Sequence, residues 1–502
     1  MKLMMPAALL LAFFCACSAV QAEEKSSPAF GQGIMVGEVT DTSAIVQVRV
    51  TQGTKLVDGD TYDDGDALRD GDLAGAESKI LFVLTETGDA LRQRRIYETH
   101  AQALAEQDYI ARAQFNELKP GTQYRINAFL AHDGIDPNDV DLIEYANSQA
   151  IFRTHPGTDT SVPVRFVLSS CMNYDKFTGS DGSDRSKGYQ GEDRNKGYPA
   201  AEAILKQKPD FVVYAGDVIY YDKKPRVQTL ADMRAKWHRQ NNMPRMIALH
   251  AAAPGYWMKD DHDHRTNDSD AEKDYFPSHE LGIKTFREQV PIVAPGDDES
   301  PTYRTFRVSK DLQIWFVEGR DYRDPNKKPD GPDKTLWGKE QLAWLKTTLL
   351  ESDATYRILI SPTPLVGPDD GYKRDNHTNP KGFLNEGQAF KRWGVEHNLW
   401  NNTFLMCGDR HWQYHSIDPT GAQEFSCGAL NDENSRMGRK PGDPKSTDPD
   451  ALVKQLFTSP KRTGGFMTIA VEPGEGKAKA AIRFEFYDDI GELLYSYTSA
   501  VE

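Results

Sequence analysis

Four short runs of this sequence gather side chains that bind metal ions: Ser169-Ser170-Cys171-Met172-Asn173, Gly216-Asp217-Val218-Ile219-Tyr220, Asp260-Asp261-His262-Asp263-His264 with Asn267-Asp268, and Gly408-Asp409-Arg410-His411. Carboxylate oxygens suit hard cations such as calcium, whereas a thiolate or a phenolate can hold a trivalent or softer transition metal. The donors are therefore mixed enough for more than one kind of ion, and a shared carboxylate at Asp217 would hold two of them close together. Each run alone has an ordinary explanation. Cys171 reads as a small core residue, Gly216-Asp217 as a turn, and Asp260 to Asp268 as a solvated acidic loop. Their common position along the chain is what joins them.

Each run follows an apolar segment with the pattern of a buried strand. Val164 to Cys171 delivers the first, Phe211 to Tyr214 the second, Tyr256-Trp257-Met258 the third and Thr403 to Gly408 the last. In open α/β sheets ligands bind beyond the carboxyl ends of strands, so the four runs are expected on one rim. Helical stretches alternate with these strands at Pro199 to Lys208, Thr229 to Leu249, Gly338 to Leu350 and Glu386 to His397, and further strands are expected at Asp311 to Val317 and Tyr356 to Ser361. The segments Gly465 to Val471 and Ala481 to Tyr487 return to strand pattern and should close a sheet. This alternation predicts an α/β domain over residues 160–495. Two long loops, Asn173 to Tyr198 and Asp369 to Glu386, are candidate lids over the site.

Ahead of this domain the pattern differs. Residues 30–155 carry short alternating runs such as Ala44 to Val50, Lys79 to Leu84 and Tyr124 to Leu130, with turn signals between them and one helical candidate at Ala101 to Gln107. That is the pattern of a small immunoglobulin-like β-sandwich. The acidic run from Asp58 to Asp72 does not place its carboxylates at EF-hand positions and reads as a solvated hairpin loop. Residues 1–22 have the charged, apolar and small-residue order of a signal peptide, with cleavage expected after Ala22. The apolar run is shorter than the roughly 20 residues of a membrane span, and the residues before Cys17 fit a lipid-attachment site poorly. A periplasmic or secreted protein is expected. Beyond the leader only Cys171, Cys407 and Cys427 remain, and the sequence leaves open whether the last two pair. The net charge of -15 argues against a nucleic-acid backbone as partner.

Metals held close together would activate water and neutralise the charge that grows on a phosphoryl group in flight, the two services that phosphate-ester hydrolysis needs. At this point the motifs meet a family. Ser170-Cys171, Gly216-Asp217-Val218-Ile219-Tyr220, Asp260-Asp261-His262 with Asn267, Gly319-Arg320-Asp321-Tyr322-Arg323, Gln341-Leu342-Ala343-Trp344-Leu345 and Gly408-Asp409-Arg410-His411 together resemble the PhoD-type alkaline phosphatases of the metallophosphoesterase superfamily. The resemblance covers roughly residues 30 to 490 and implies a four-layer α/β sandwich behind the small β-domain. It also implies Fe3+ with Ca2+, Cys171, Asp217 and Tyr220 as iron ligands, and Asp261, Asn267, Asp409 and His411 completing the metal set, with Asp268 as an alternative to Asn267. Arg320 stands where the family has an arginine suited to clamp phosphate, and a structural ion pair is the other reading. His262 or His264 would protonate the leaving group or orient a ligand. Glu318 departs from the family pattern, which usually has aspartate before the arginine.

The expected activity is hydrolysis of small phosphate mono- or diesters by an exported enzyme. Lys187, Arg194 and Lys196 in the first long loop are candidates to meet a second substrate group. Two other readings stay open: a phospholipase D-like hydrolase of lipid head groups, and a non-catalytic module that binds calcium or phosphate.

Overall fold

The computed structural model describes residues 28–54, 72–87, 96–130, 148–181, 188–272, 274–474 and 479–500. The expected signal peptide, Cys17 and the acidic run up to Asp70 lie outside them. The front part contains β1 (Ile34–Gly37), β2 (Ala44–Arg49), β3 (Ser78–Glu86), β4 (Ile96–Ala103), β5 (Ile110–Phe115), β6 (Gln123–Leu130) and β7 (Ser148–Arg153). Then come β8 (Val164–Ser169), β9 (Phe211–Ala215), β10 (Gly255–Met258), β11 (Arg304–Arg307), β12 (Leu312–Phe316), β13 (Tyr356–Ser361) and β14 (Thr403–Cys407). The chain finishes with β15 (Gln413–Ile417), β16 (Gln423–Cys427), β17 (Lys454–Thr458), β18 (Gly465–Glu472), β19 (Ala481–Asp488) and β20 (Leu493–Ala500).

Side chains alternate across a strand, and here both faces of the central strands are apolar, so each sheet is covered twice. Phe166 and Leu168 of β8 and Val213 of β9 face Ile358 and Ile360 of β13 and Phe404 and Met406 of β14, forming the core between two sheets. The intervening Val167, Val212 and Tyr214 face outward onto the helices Pro199–Lys206, Leu230–Asn241 and Pro244–Ala252. On the other side Leu359 and Leu405 face outward onto Leu345 and Leu349 of the Lys339–Glu351 helix and Phe390 of the Leu384–Glu396 helix. The result is helix, sheet, sheet, helix. One sheet has the order β20-β19-β18-β8-β9-β10-β1-β2-β5 and the other β11-β12-β13-β14-β16-β15-β17. Neighbours among β8, β9 and β10, and among β12, β13 and β14, are parallel, so their carboxyl ends share one side.

The front part is a β-sandwich. Val36, Val46, Val48 and Ala113 pack against Phe82, Ile126 and Phe152 of a second sheet ordered β4-β3-β6-β7. Its first sheet is not separate, however. β1 pairs in parallel with β10 at Gly37 and Gly255, so the nine-stranded sheet runs from one part into the other. A Cβ at Gly37 would stand 2.4 Å from the carbonyl oxygen of Pro291, which is why glycine occupies the junction.

Two sequence expectations about helices are corrected. Ala101 to Gln107 is divided between the end of β4, which pairs with β3 from Ala103 opposite Ser78, and a single 3-10 turn at Ala105–Gln107. Thr229 to Leu249 is two helices. Thr229 caps the first through a capping box with Asp232, and Pro244 opens the second, where a missing N–H costs nothing.

Asp72, expected in a solvated loop, is buried against His238. His238 Nδ1 lies 2.5 Å from Asp72 Oδ1 and Nε2 lies 2.6 Å from Asp108 Oδ2, while Arg49 and Gln289 also bind Asp108. Burial alone would pull the His238 pKa down, and Arg49 adds to that, but the carboxylates outweigh both and raise it. The folded protein then holds this proton more tightly than the unfolded chain. The contact therefore stabilises fully below the ordinary histidine value of about 6.5 and fades as pH rises through the folded-state value. The unfolding free-energy difference between the native protein and His238→Gln, followed by urea denaturation, is expected to be largest near pH 6 and to shrink towards pH 9. A pH-independent difference would show that His238 acts by packing alone.

Candidate metal centre

The carboxyl ends of β8, β9, β10 and β14 bring the four runs together. Asp217 is at the middle. Ligand-type atoms lie within 4.8 Å of one another in three sets that share it: Cys171, Asp217 and His411; Asp217, Asp261 and His262; and Asp217, Asp260 and Asp409. Tyr220 Oη donates to Asp217 Oδ2 at 3.2 Å, and Cys171 Sγ is 3.5 Å from the same oxygen. The His262 backbone N–H donates to Oδ1 at 3.4 Å.

The backbone explains the Gly-Asp spelling. Cys171, Asp217 and Asp409 all have left-handed φ angles, 55°, 56° and 56°, a conformation that non-glycine residues adopt at a cost and that gathers at functional sites. The glycines before the aspartates allow close approach. A Cβ at Gly216 would meet Asp260 Cβ at 2.7 Å, and one at Gly408 would stand 2.1 Å from the Ala215 carbonyl oxygen.

This many buried acidic groups cannot all ionise without a cation. Burial, then Asp261, Asp260 and Asp263, push the Asp217 carboxyl well above the usual range. Burial and Asp217 do the same to the Cys171 thiol and the Tyr220 phenol. Asp260 Oδ2 and Asp261 Oδ1 are buried with no hydrogen-bond partner among the described residues, which is the state of an acceptor meant for a positive ion. Hard oxygens beside a thiol, a phenol and an imidazole fit a metal centre of mixed character. His411 suits it too: burial and Arg436 keep its pKa well below the ordinary value, and Nδ1 donates to the Asn434 carbonyl at 2.5 Å, leaving Nε2 free as a neutral donor.

A profile of the PhoD-like phosphatase family matches residues 166–479, well over half of the chain. The chain belongs to the PhoD-like phosphatase family. Alkaline phosphatase D of Bacillus subtilis (strain 168) is 24% identical over 436 residues, covering 74% of this chain and 68% of that protein. A solved structure of PhoD superposes with a TM-score of 0.69 at 17% identity, covering 94% of this chain and 91% of that one. The purple acid phosphatase PPD1 from yellow lupin (Lupinus luteus) seeds shares the fold, with a TM-score of 0.59 at 12% identity over 95% of this chain and 74% of that one. The chain is thus a metal-dependent phosphoric ester hydrolase of the alkaline phosphatase D type.

Within this PhoD-like site the structure places each sequence candidate. Arg320, read as a phosphate clamp or a structural ion pair, makes ion pairs. It is fully buried, with Nε donating to Asp260 Oδ1 at 2.7 Å, Nη1 to the Ser269 carbonyl at 2.9 Å and to Asp375 Oδ1 at 3.0 Å, and Nη2 to Asp375 Oδ2 at 3.1 Å. The fork is spent on bracing Asp260. Glu318 sits beneath it, accepting from the buried Lys259 at 2.7 Å and from the Arg320 N–H at 2.8 Å. His264 is turned away because residues two apart on a helical turn face opposite sides. Its Nε2 is 3.0 Å from His279 Nδ1, whereas the His262 ring is tilted against the Tyr220 ring, centroids 4.2 Å apart, with Nδ1 at 2.7 Å from Asp222. Asn267 is exposed and its backbone N–H donates to Asp222; Asp268 instead joins Asp261 and Asp375 in a fourth cluster.

Some partners were not visible in the sequence reading. Asn434 donates to both the Cys171 carbonyl and Tyr220 Oη at 2.9 Å, fixing two ligand-bearing turns from a 3-10 turn after β16. Asp222 lay beside the Gly216 motif and could have been suspected, but Asp375 lay in a loop without periodicity. That loop, Asp369 to Glu386, is a packed polar insertion, with Asp369, Asp375, Asn376, His377 and Asn379 all buried. Asn173 to Tyr198 carries the Tyr174–Thr178 helix and an Arg194–Lys196 turn, and Lys187 lies outside the described residues. Cys171, Cys407 and Cys427 are all buried free thiols. Among the described residues no helix is long and apolar enough to cross a membrane.

Proposed function

We propose that the protein is an exported enzyme hydrolysing small phosphate mono- and diesters at this centre, with Fe3+ and Ca2+ as its metals. The observation that carries the reading is the sharing of Asp217 among the three ligand sets. Cys171, Tyr220 and His411 suit the softer or trivalent ion, and Asp260, Asp261 and Asp409 the harder one. When bound, the metals lower the pKa of water and neutralise charge on the phosphoryl group. The chain's own residues set the geometry: Asp217 would serve each of the ligand sets, Arg320 holds Asp260, and Asn434 orients Tyr220 and His411. His262 is the proton donor of the reading. Its ring is anchored by Asp222, whose burial opposes ionisation but whose carboxyl His262 and Lys223 hold below the usual range. His262 then delivers a proton to the leaving oxygen. Export rests on the order of residues 1–22, and recovery of an uncleaved chain from the cytoplasm alone would overturn it.

His262→Ala separates the roles. A proton donor matters most when the leaving group is poor, so the variant is expected to lose about a hundredfold in kcat/KM for phenyl phosphate and far less for p-nitrophenyl phosphate. Equal losses for the two esters, with metal content reduced, would make His262 a ligand or an orienting residue instead.

A further inference from the structure

Asp260 and Asp409, two carboxylates of one ligand set shared with Asp217, are each held from behind by a buried arginine. Arg320 holds Asp260 and turns its Nη1 and Nη2 to Asp375. Arg410 repeats the arrangement on Asp409. It is fully enclosed, with Nη2 donating to Asp409 Oδ2 and Nη1 to Asp369 Oδ1, and its guanidinium carbon lies 5.2 Å from the centre of the Trp412 ring. Both outer carboxylates, Asp369 and Asp375, come from the one insertion between β13 and the Leu384–Glu396 helix. That insertion is tied together at the same two points. Asn379 Nδ2 donates to Asp369 Oδ2 at 3.3 Å, and Asn376 Nδ2 donates to the same oxygen at 2.7 Å. Asn379 Oδ1 accepts the backbone N–H groups of Asp375 at 2.8 Å and of Asn376 at 3.0 Å. One buried side chain, Asn379, therefore joins the two counter-carboxylates. Asp369 is also fixed from outside the insertion: its N–H donates to Thr447 Oγ1 at 2.9 Å, and its carbonyl accepts the Thr447 N–H at 2.8 Å.

Asp409 needs such a hold. Its left-handed backbone is costly to keep, and its carboxylate has to face those of Asp217 and Asp260, whose like charge repels it. A guanidinium answers both needs, because its planar fork fixes the direction of a carboxylate as well as its charge. Asp369 in turn anchors that fork from the far side, where a buried arginine with an unfilled arm would otherwise carry an uncompensated charge.

We propose that Asp369, joined to Asp375 through Asn379, is a positioning residue of the metal centre: acting through Arg410, it sets the direction of Asp409 and with it the affinity for the harder ion. This rests on the metal assignment proposed above. Titration calorimetry with calcium on the iron-containing full chain reads it. Asp369→Asn keeps the shape and is expected to weaken calcium binding by at least about tenfold, the scale on which the outer partners of metal ligands act. Its iron content and the visible absorption of an iron–phenolate pair are expected to stay as in the native protein. Arg410→Lys keeps the charge without the fork and is expected to lose as much. Asn379→Ala removes a side chain that hydrogen-bonds neither ligand nor arginine, and is expected to lose a smaller part. Native calcium affinity in Asp369→Asn overturns the positioning role, and where that variant does not fold, native affinity in Asn379→Ala does so. Loss of iron and calcium together in Asp369→Asn also overturns it, since a general loosening of the rim would spare neither. A native protein that takes up no calcium overturns the metal assignment instead, and the same ratios are then read with manganese.

Discussion

Asparagine in place of Asp217 is expected to lower phosphate release by at least about a thousandfold and to strip metal from more than one position. Its two oxygens are approached by the thiol of Cys171, the phenol of Tyr220 and the backbone of His262, and it belongs to three of the ligand sets. A neutral amide there removes the shared negative charge while keeping the shape. Elemental analysis beside the rate measurement reads the two effects separately. Cys171→Ser is the companion, expected to lose the softer or trivalent ion and to retain calcium. Undiminished hydrolysis in either variant would take that residue out of the machinery. Zinc or manganese alone in the native protein would keep a metallohydrolase but overturn the roles given to Cys171 and Tyr220.

Replacing Arg320 with methionine is expected to cost about 3–5 kcal/mol of folding stability, because it leaves buried carboxylates without their counter-charge. Asp260 and Asp375 are both fully enclosed and both accept from the same fork. Burial raises the Asp260 carboxyl to about 7 even with Arg320 in place. Lysine should rescue little, since a point charge cannot fill two carboxylates in fixed directions. Urea denaturation measures the loss. A variant with native stability and a raised KM for phosphate esters would restore the clamp and refute the brace.

The strands and the residues at their ends were legible because both obey short-range rules. Val164 to Cys171 and Thr403 to Gly408 are apolar on both faces, and the Gly-Asp pairs mark where the chain turns sharply over a neighbour. The Arg320 brace was not legible, since its partner Asp375 sits in a loop with no periodic signal and only the closed fold shows the fork to be full. His264 fell to a simpler limit. A list of ligand-type residues does not say which side of a turn each one takes. The Ala101 to Gln107 segment misled because a few small and polar residues satisfy both the helical and the extended period, and pairing with β3 decided it. The joint between the two parts was invisible for another reason: the short run Ile34–Gly37 carries no signal of which strand lies beside it.

That joint has a meaning for solubility. β10 offers a row of backbone N–H and C=O groups on the side away from β9, and β1 begins to cover it where Gly37 meets Gly255. A chain cut back to start near Val164 would leave this border open, a template on which a second molecule could lay its own strand. In the intact chain the front sandwich occupies the start of that border through the pairing of Gly37 with Gly255.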